Sequence, residues 1–164
     1  MRLLNSICKV IADHNPGVPV HIMNVPQGFL RPCFLVTLAT ESTNLLNINV
    51  YQDEPIYQVV YFHTRNEADQ VYSEGLYQMR ESLKALFLMP GAFPVIAQDG
   101  VTEKQRYAKV SSFTSEVRLS ENAVYTKFSS SFTDTARSDP NDGYELIGEV
   151  DYGTNLIVDI NQEE

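Results

Sequence analysis

The chain has 164 residues, a length that suits one domain with a core of its own, and its 12 Lys and Arg against 21 Asp and Glu give a net charge of −9. That balance excludes nucleic-acid binding through phosphates, which needs clustered bases. No apolar run approaches the roughly 20 residues that span a bilayer, so no membrane association is expected.

The charge is unevenly placed. From Asp134 onward there are nine acids and one base, Arg137, which leaves residues 1–133 nearly neutral. Such asymmetry marks an interaction segment, and the chain is expected to divide into a core over 1–133 and an acidic C-terminal arm over 134–164. The start, Met1 to Lys9, has its apolar pattern broken by Asn5 and Ser6 and is not expected to act as a secretory signal. A soluble protein made in a reducing cytoplasm fits Cys8 and Cys33, which lie in apolar patterns outside any C-x-x-C pair and read as buried thiols.

Taken in chain order, Leu3, Leu4, Ile7, Val10 and Ile11 recur at helical spacing and predict a helix over 2–14, stopped by Asn15-Pro16-Gly17. Residues 18–25 read as a strand. The apolar run Cys33 to Leu38 predicts a central strand, and the polar stretch 41–47 a loop. Residues 49–62 read as extended, with Pro55 marking a bulge, an edge or a strand start. Thr64 to Glu67 fits a capping box opening a helix with Val71, Tyr72, Leu76, Met79, Leu83, Leu86 and Phe87 on one face, ended by Pro90-Gly91. Residues 91–104 read as irregular, with a turn at Asp99-Gly100.

Two strands follow, roughly 105–119 and 123–133, joined by a hairpin turn at Ser120-Glu121-Asn122. Val124, Thr126, Phe128, Ser130 and Phe132 form one face of the second, with Val117 and Leu119 set opposite. The order helix, three strands, helix, two strands predicts an α+β domain: a mainly antiparallel sheet with two packed helices, plus the extended arm. Residues 134–143 read as a linker. Beyond it Tyr144, Leu146, Ile147, Val150, Tyr152, Leu156, Val158 and Ile160 are β-prone residues between acids. They would either fold back onto the chain's own sheet or be donated as a strand to a partner.

No phosphate-binding glycine loop, H-E-x-x-H or G-x-S-x-G motif occurs. His14, His21 and His63 form no ligand pair, and His14 suits a helix C-terminus. The cluster Arg65, Glu67, Asp69 and Glu74 is explained by a helix start. Ser129-Ser130-Ser131 has no accompanying base or oxyanion motif. No catalytic residue, cofactor or metal site is expected.

The segment Asn15-Pro-Gly-Val-Pro-Val20, the pair Val25-Pro-Gln-Gly-Phe29 and Arg31-Pro-Cys-Phe-Leu-Val36, and the strand end Val59-Val-Tyr-Phe62 before an acidic helix start resemble a phage tail terminator family of prophages and contractile-tail elements of Gram-positive bacteria. The resemblance covers about residues 1–133. It implies a structural virion-assembly protein: a homo-hexameric ring on the last ring of the tail-tube protein, at the head-proximal end of the tail. Such a ring stops tube growth and offers a docking surface to sheath and to neck or head–tail connector proteins. Two other readings of the residues stay open, a small acidic secretion-type chaperone and another neck or connector subunit.

Overall fold

The computed structural model describes residues 2–64, 73–96 and 106–135. Helix α1, Arg2–His14, buries Leu3, Leu4, Ile7 and Ile11 on one stripe, as their spacing dictates. Asn15 ends it by turning both its amide and its Nδ2 onto the Ile11 carbonyl, at 2.9 and 3.1 Å. Gly17 follows at φ +84°, a conformation open to glycine.

Six strands form one sheet in the order β1-β2-β3-β6-β5-β4. They are β1 (Val20–Ile22), β2 (Cys33–Asn47), β3 (Val50–Phe62), β4 (Ala92–Val95), β5 (Arg106–Arg118) and β6 (Ala123–Thr135). Among the described residues only β1 on β2 is parallel; the other pairs are antiparallel. The expected α+β class is therefore the observed one. Both edge strands, β1 and β4, contact α1, so the sheet curls around that helix. Helix α2, Ser73–Phe87, lies on the same face against β5 and β6 and buries Leu76, Leu83 and Phe87.

Between helices and sheet, the alternating face of β6 is buried from Val124 to Phe132, as its pattern predicts. Val117 stands opposite Val124. Leu119 does not join them, because it belongs to the 3-10 turn Leu119–Glu121 and is exposed. Phe87 stacks on Phe128 with centroids 4.7 Å apart, and Phe93 meets both rings edge-on. Such pairs add about 0.5–1.5 kcal/mol beyond area burial.

The sequence pattern misplaces three segments. The strand expected over 18–25 is confined to Val20–Ile22, because Met23 takes a left-handed φ of 63° and turns its amide onto the Val36 carbonyl. Residues 41–47, whose polarity points to a loop, continue β2 and pair with β3 as far as Asn47↔Val50. Their polarity reflects solvent on both faces, not loss of the ladder. Within 91–104, expected to be irregular, Ala92–Val95 forms β4. Its Pro94 is tolerated because β4 is an edge. The order thus ends in three strands, not two. Pro55 has the expected irregularity beside it: it faces Glu41 on β2, while the β3–β6 register lapses between Asp53 and Ile56.

Thr64 to Glu67 as a capping box, Val71 and Tyr72 on the second helix, and the turn at Asp99-Gly100 fall wholly or mainly outside the described residues. Asp134 and Thr135, expected to open the linker, are paired in β6 with Tyr51 and Val50.

Candidate functional site

The β2–β3 hairpin has two halves. In the inner half, Phe34, Val36, Tyr57, Val59 and Tyr61 are buried in the core. From Ala39 outward every β2 residue is exposed, while β3 stays partly covered there, its Tyr51 and Asp53 lining one pocket with Arg2 and Leu3 of α1. Register shifts at Ala39 and Leu46 bend it. At its tip Leu45, Leu46 and Ile48 are 73%, 55% and 90% exposed. Three bulky apolar side chains held this far into solvent are unfavourable for an isolated chain, and such patches mark contact sites.

The shaft below the tip is acidic. Glu41, Asp53 and Glu54 lie on it, and no Lys or Arg occurs between Arg31 and Arg65. Thr43 Oγ1 donates to Asp53 at 2.6 Å, and Gln52 Nε2 to Glu54 at 2.9 Å, which orders the carboxylates. The outer edge of β2 is covered by β1 only at Phe34 to Val36. From Leu38 to Asn47 that edge has no strand partner among the described residues.

A second construction holds the hairpin base. The Arg31 guanidinium lies over the rings of Phe29 and Phe62, 5.4 and 5.1 Å from their centroids, and donates to the Glu121 carbonyl at 3.0 Å. It thereby ties the loop before β2 to the β5–β6 turn. Asn122, in the left-handed region at φ 52°, completes that turn. Its amide reaches the Leu119 carbonyl at 3.1 Å and its Nδ2 the Thr64 carbonyl at 2.7 Å.

A third construction lies where β6 ends. Asp134 accepts from Arg106 at 2.7 Å and from Arg2 at 3.4 Å. Both guanidiniums lie over the Phe132 ring, and Arg2 Nε also donates to the Ile96 carbonyl at 2.8 Å. Ser6 Oγ accepts the Ile96 amide at 3.0 Å. The start of α1, the end of β4, the start of β5 and the end of β6 are joined at this point.

Tyr144, Leu146, Ile147, Val150, Tyr152, Leu156, Val158 and Ile160, the residues expected to bind a partner, lie outside the described residues, as do Arg65, Glu67 and Asp69. Glu74 is exposed on α2 and accepts from Gln78. Ser129 Oγ shares hydrogen bonds with the hydroxyls of Ser111 and Ser112, while Ser130 Oγ is buried on the core side. Among the described residues no three His, Cys, Asp or Glu side chains come together as metal ligands, and no helix is long and apolar enough to cross a membrane.

Tyr125 donates to Glu121 and carries Arg118 over its ring at 4.1 Å. That hydrogen bond, reinforced by Arg118, holds the Glu121 carboxyl below its usual range. The charged groups of this end are thus paired structurally. The exposed apolar hairpin is what sequence pattern missed. The signal available was the absence of bases from 32 to 64 together with Thr, Ser and Asn at strand spacing.

The family model described as phage tail terminator protein matches residues 2–137. The chain belongs to the phage tail terminator family. No curated protein matches it. The match ends two residues beyond the described part of β6, so it takes in the hairpin, the Arg31 loop and the Asp134 junction. The segments that carried the resemblance are explained by the fold: 15–20 stops α1 and leads into β1, and Phe29, Arg31 and Phe62 make the stacked joint at the hairpin base. This is a structural family, and a tail terminator works through contacts with other tail components.

Proposed function

We propose that this tail terminator forms a ring, a hexamer, that seats on the last ring of the tail tube and ends its growth. The other face of the ring receives neck or head–tail connector proteins and, in a contractile tail, the last sheath ring. The family match over residues 2–137 carries this reading. The extended hairpin supports it, because a subunit acting through contacts needs a surface that its own core does not use. No group in the described residues is asked to do chemistry, and the proposed role needs neither cofactor nor metal.

The acidic arm belongs to the same reading as a separate segment. Its β-prone positions from Tyr144 to Ile160 would add a strand to a neighbouring subunit, the sheath or a neck protein, with its carboxylates setting partner choice. Because Asp134 and Thr135 pair within β6, the arm is best taken to begin after them.

Tail particles assembled with and without the protein test the ring role. Tubes of unregulated length in its absence, restored to uniform length with the subunit imaged at the head-proximal end, are the expected result. Uniform tubes without it overturn the proposal. A variant ending at residue 137 tests the arm: tails that still join heads and sheath at the normal rate would sink the strand-donor idea alone.

A further inference from the structure

We infer that the open edge of β2 between Leu38 and Asn47 accepts an added strand, and that the strand comes from a positively charged, alternately apolar segment of a tail partner. It deepens the docking reading above and rests on it only for the partner's place in the tail.

The geometry supplies the acceptor. Natural sheets shorten, cover or charge a long free edge, because its backbone groups template another chain. Here the edge runs on for eleven residues, Thr37 to Asn47, past the last one that β1 covers, with no other strand on it among the described residues. The stretch carries one charged side chain, Glu41, and no proline. It is already held extended by β3 on its other side, so little further ordering is needed when a strand docks. Leu45, Leu46 and Ile48 at the tip offer apolar contacts that would fix the register of the incoming chain.

Charge selects the occupant. Glu41, Asp53 and Glu54 give the hairpin three negative charges and no base of its own from Pro32 to Thr64, with Arg2 bordering Glu41 and Asp53 on one face. A second copy pairing edge to edge would bring the Glu41 side chains onto one ladder with Asp53 and Glu54 of each copy one strand behind, and like charges across a ladder are destabilising. The chain's own arm is excluded from this edge on the same ground, since its β-prone stretch carries Glu145, Glu149, Asp151 and Asp159, so the strand it would donate goes to another edge or to the sheath or neck. A basic strand removes the repulsion and gains attraction.

The test uses the full chain and two labelled synthetic peptides: ten residues alternating lysine with valine, and residues 144–160 of this sequence. Fluorescence anisotropy should show the lysine peptide binding and the 144–160 peptide failing to bind. Raising salt from low to physiological strength should weaken binding about tenfold. The triple variant E41K/D53K/E54K should weaken it at least about tenfold. The neutral variant E41Q/D53N/E54Q should fall between, which covers the case of a misfolded charge reversal. Hydrogen exchange should show new protection of amides in 38–47 on binding.

Equal binding to the triple variant would place the peptide elsewhere on this acidic chain and overturn the inference. Binding without protection in 38–47 would overturn the strand-addition geometry. Preferential binding of the 144–160 peptide, or concentration-dependent dimers protected at 38–47, would assign the edge to the arm or to a second copy. None of these readouts depends on tube capping, so failure here and failure of the ring proposal are separately visible.

Discussion

Arg106 and Asp134 meet at 2.7 Å at the far end of the central strands. Arg2 approaches the same carboxylate at 3.4 Å, and Phe132 lies beneath both cations. One acid thus offsets two guanidiniums from far apart in the sequence, Arg2 and Arg106. It joins the first helix to the last described strand.

Removing that acid leaves two partly buried cations side by side. Asp134→Ala should cost about 1–2 kcal/mol, since hydrogen bonds to charged groups contribute more than neutral ones while partial exposure reduces their worth. Urea denaturation should show a lower midpoint at unchanged slope. Asp134→Asn, which keeps an acceptor of the same shape, should recover part of the loss. An unchanged midpoint for both would show that the junction does not contribute to stability.

Gly75 and His63 make a second coupled pair. A Cβ on residue 75 would stand well inside contact distance of His63 Nε2. Gly75→Ala must displace the His63 ring, and because alanine's better helix propensity offsets part of the cost, the net loss should be no more than about 1 kcal/mol. His63→Ala in the same chain should return most of that loss, giving a coupling energy of at least about 0.5 kcal/mol. Additive effects in the double-mutant cycle would count against the contact.

How much of this was legible in the sequence follows from which side chains report burial. Leu3 to Ile11 and Val124 to Phe132 face one apolar layer and one solvent layer, so their periodicity states their structure. The outer half of β2 faces solvent on both sides, and Thr40 to Asn44 therefore carry no such alternation; only the ladder with β3 makes them a strand. Four-residue β4 is too short for any period, and Pro94 argues against a strand unless the edge position is known. The hairpin tip escaped because Leu45 and Leu46 fall within the polar stretch 41–47, which reads as a loop, and only the ladder with β3 shows that they end an exposed hairpin. Arg31, Arg106 and Asp134 were invisible as partners because their contacts join residues far apart in sequence.

The two thiols should be inert in the native protein. Burial pushes the Cys8 thiol up to about 11, and burial also raises that of Cys33, with Arg31 acting in the opposite direction. The reactive thiolate is therefore scarce at pH 8. A disulfide-exchange dye should label both slowly in buffer and rapidly in denaturant. Cys8→Ser should leave the slow phase of Cys33 in place, because that residue is fully buried. Fast stoichiometric labelling without denaturant would contradict this placement.

The tip should separate stability from docking. Leu45, Leu46 and Ile48 touch little of the core, so L45S/I48S should change unfolding free energy by no more than about 0.5 kcal/mol. The same variant should lower the apparent affinity for tail tubes, measured by co-sedimentation, by about tenfold or more, in keeping with apolar anchors at an interface centre. A variant that binds tubes normally would move the docking surface off the hairpin. One that unfolds would show that the tip supports its own fold.

His63 gives the fold a pH dependence of definite sign. Its Nδ1 accepts the Thr64 amide at 2.8 Å, and burial lowers its pKa below the ordinary value. The unfolded chain therefore takes up the proton first, at about pH 6.5. With more protons bound in the unfolded state, stability rises with pH across that range. The contribution is complete above the unfolded value and fades as pH falls below about 6.5 toward the folded one. Protonation would also cost the Thr64 amide its acceptor. Denaturation midpoints measured between pH 7.5 and 5 should fall with acid, and His63→Asn should flatten the part of the slope that begins as pH falls below about 6.5. Carboxylates contribute lower on the scale, near pH 4, so the two effects separate. A slope below about pH 6.5 that persists undiminished in His63→Asn would assign the dependence to another group.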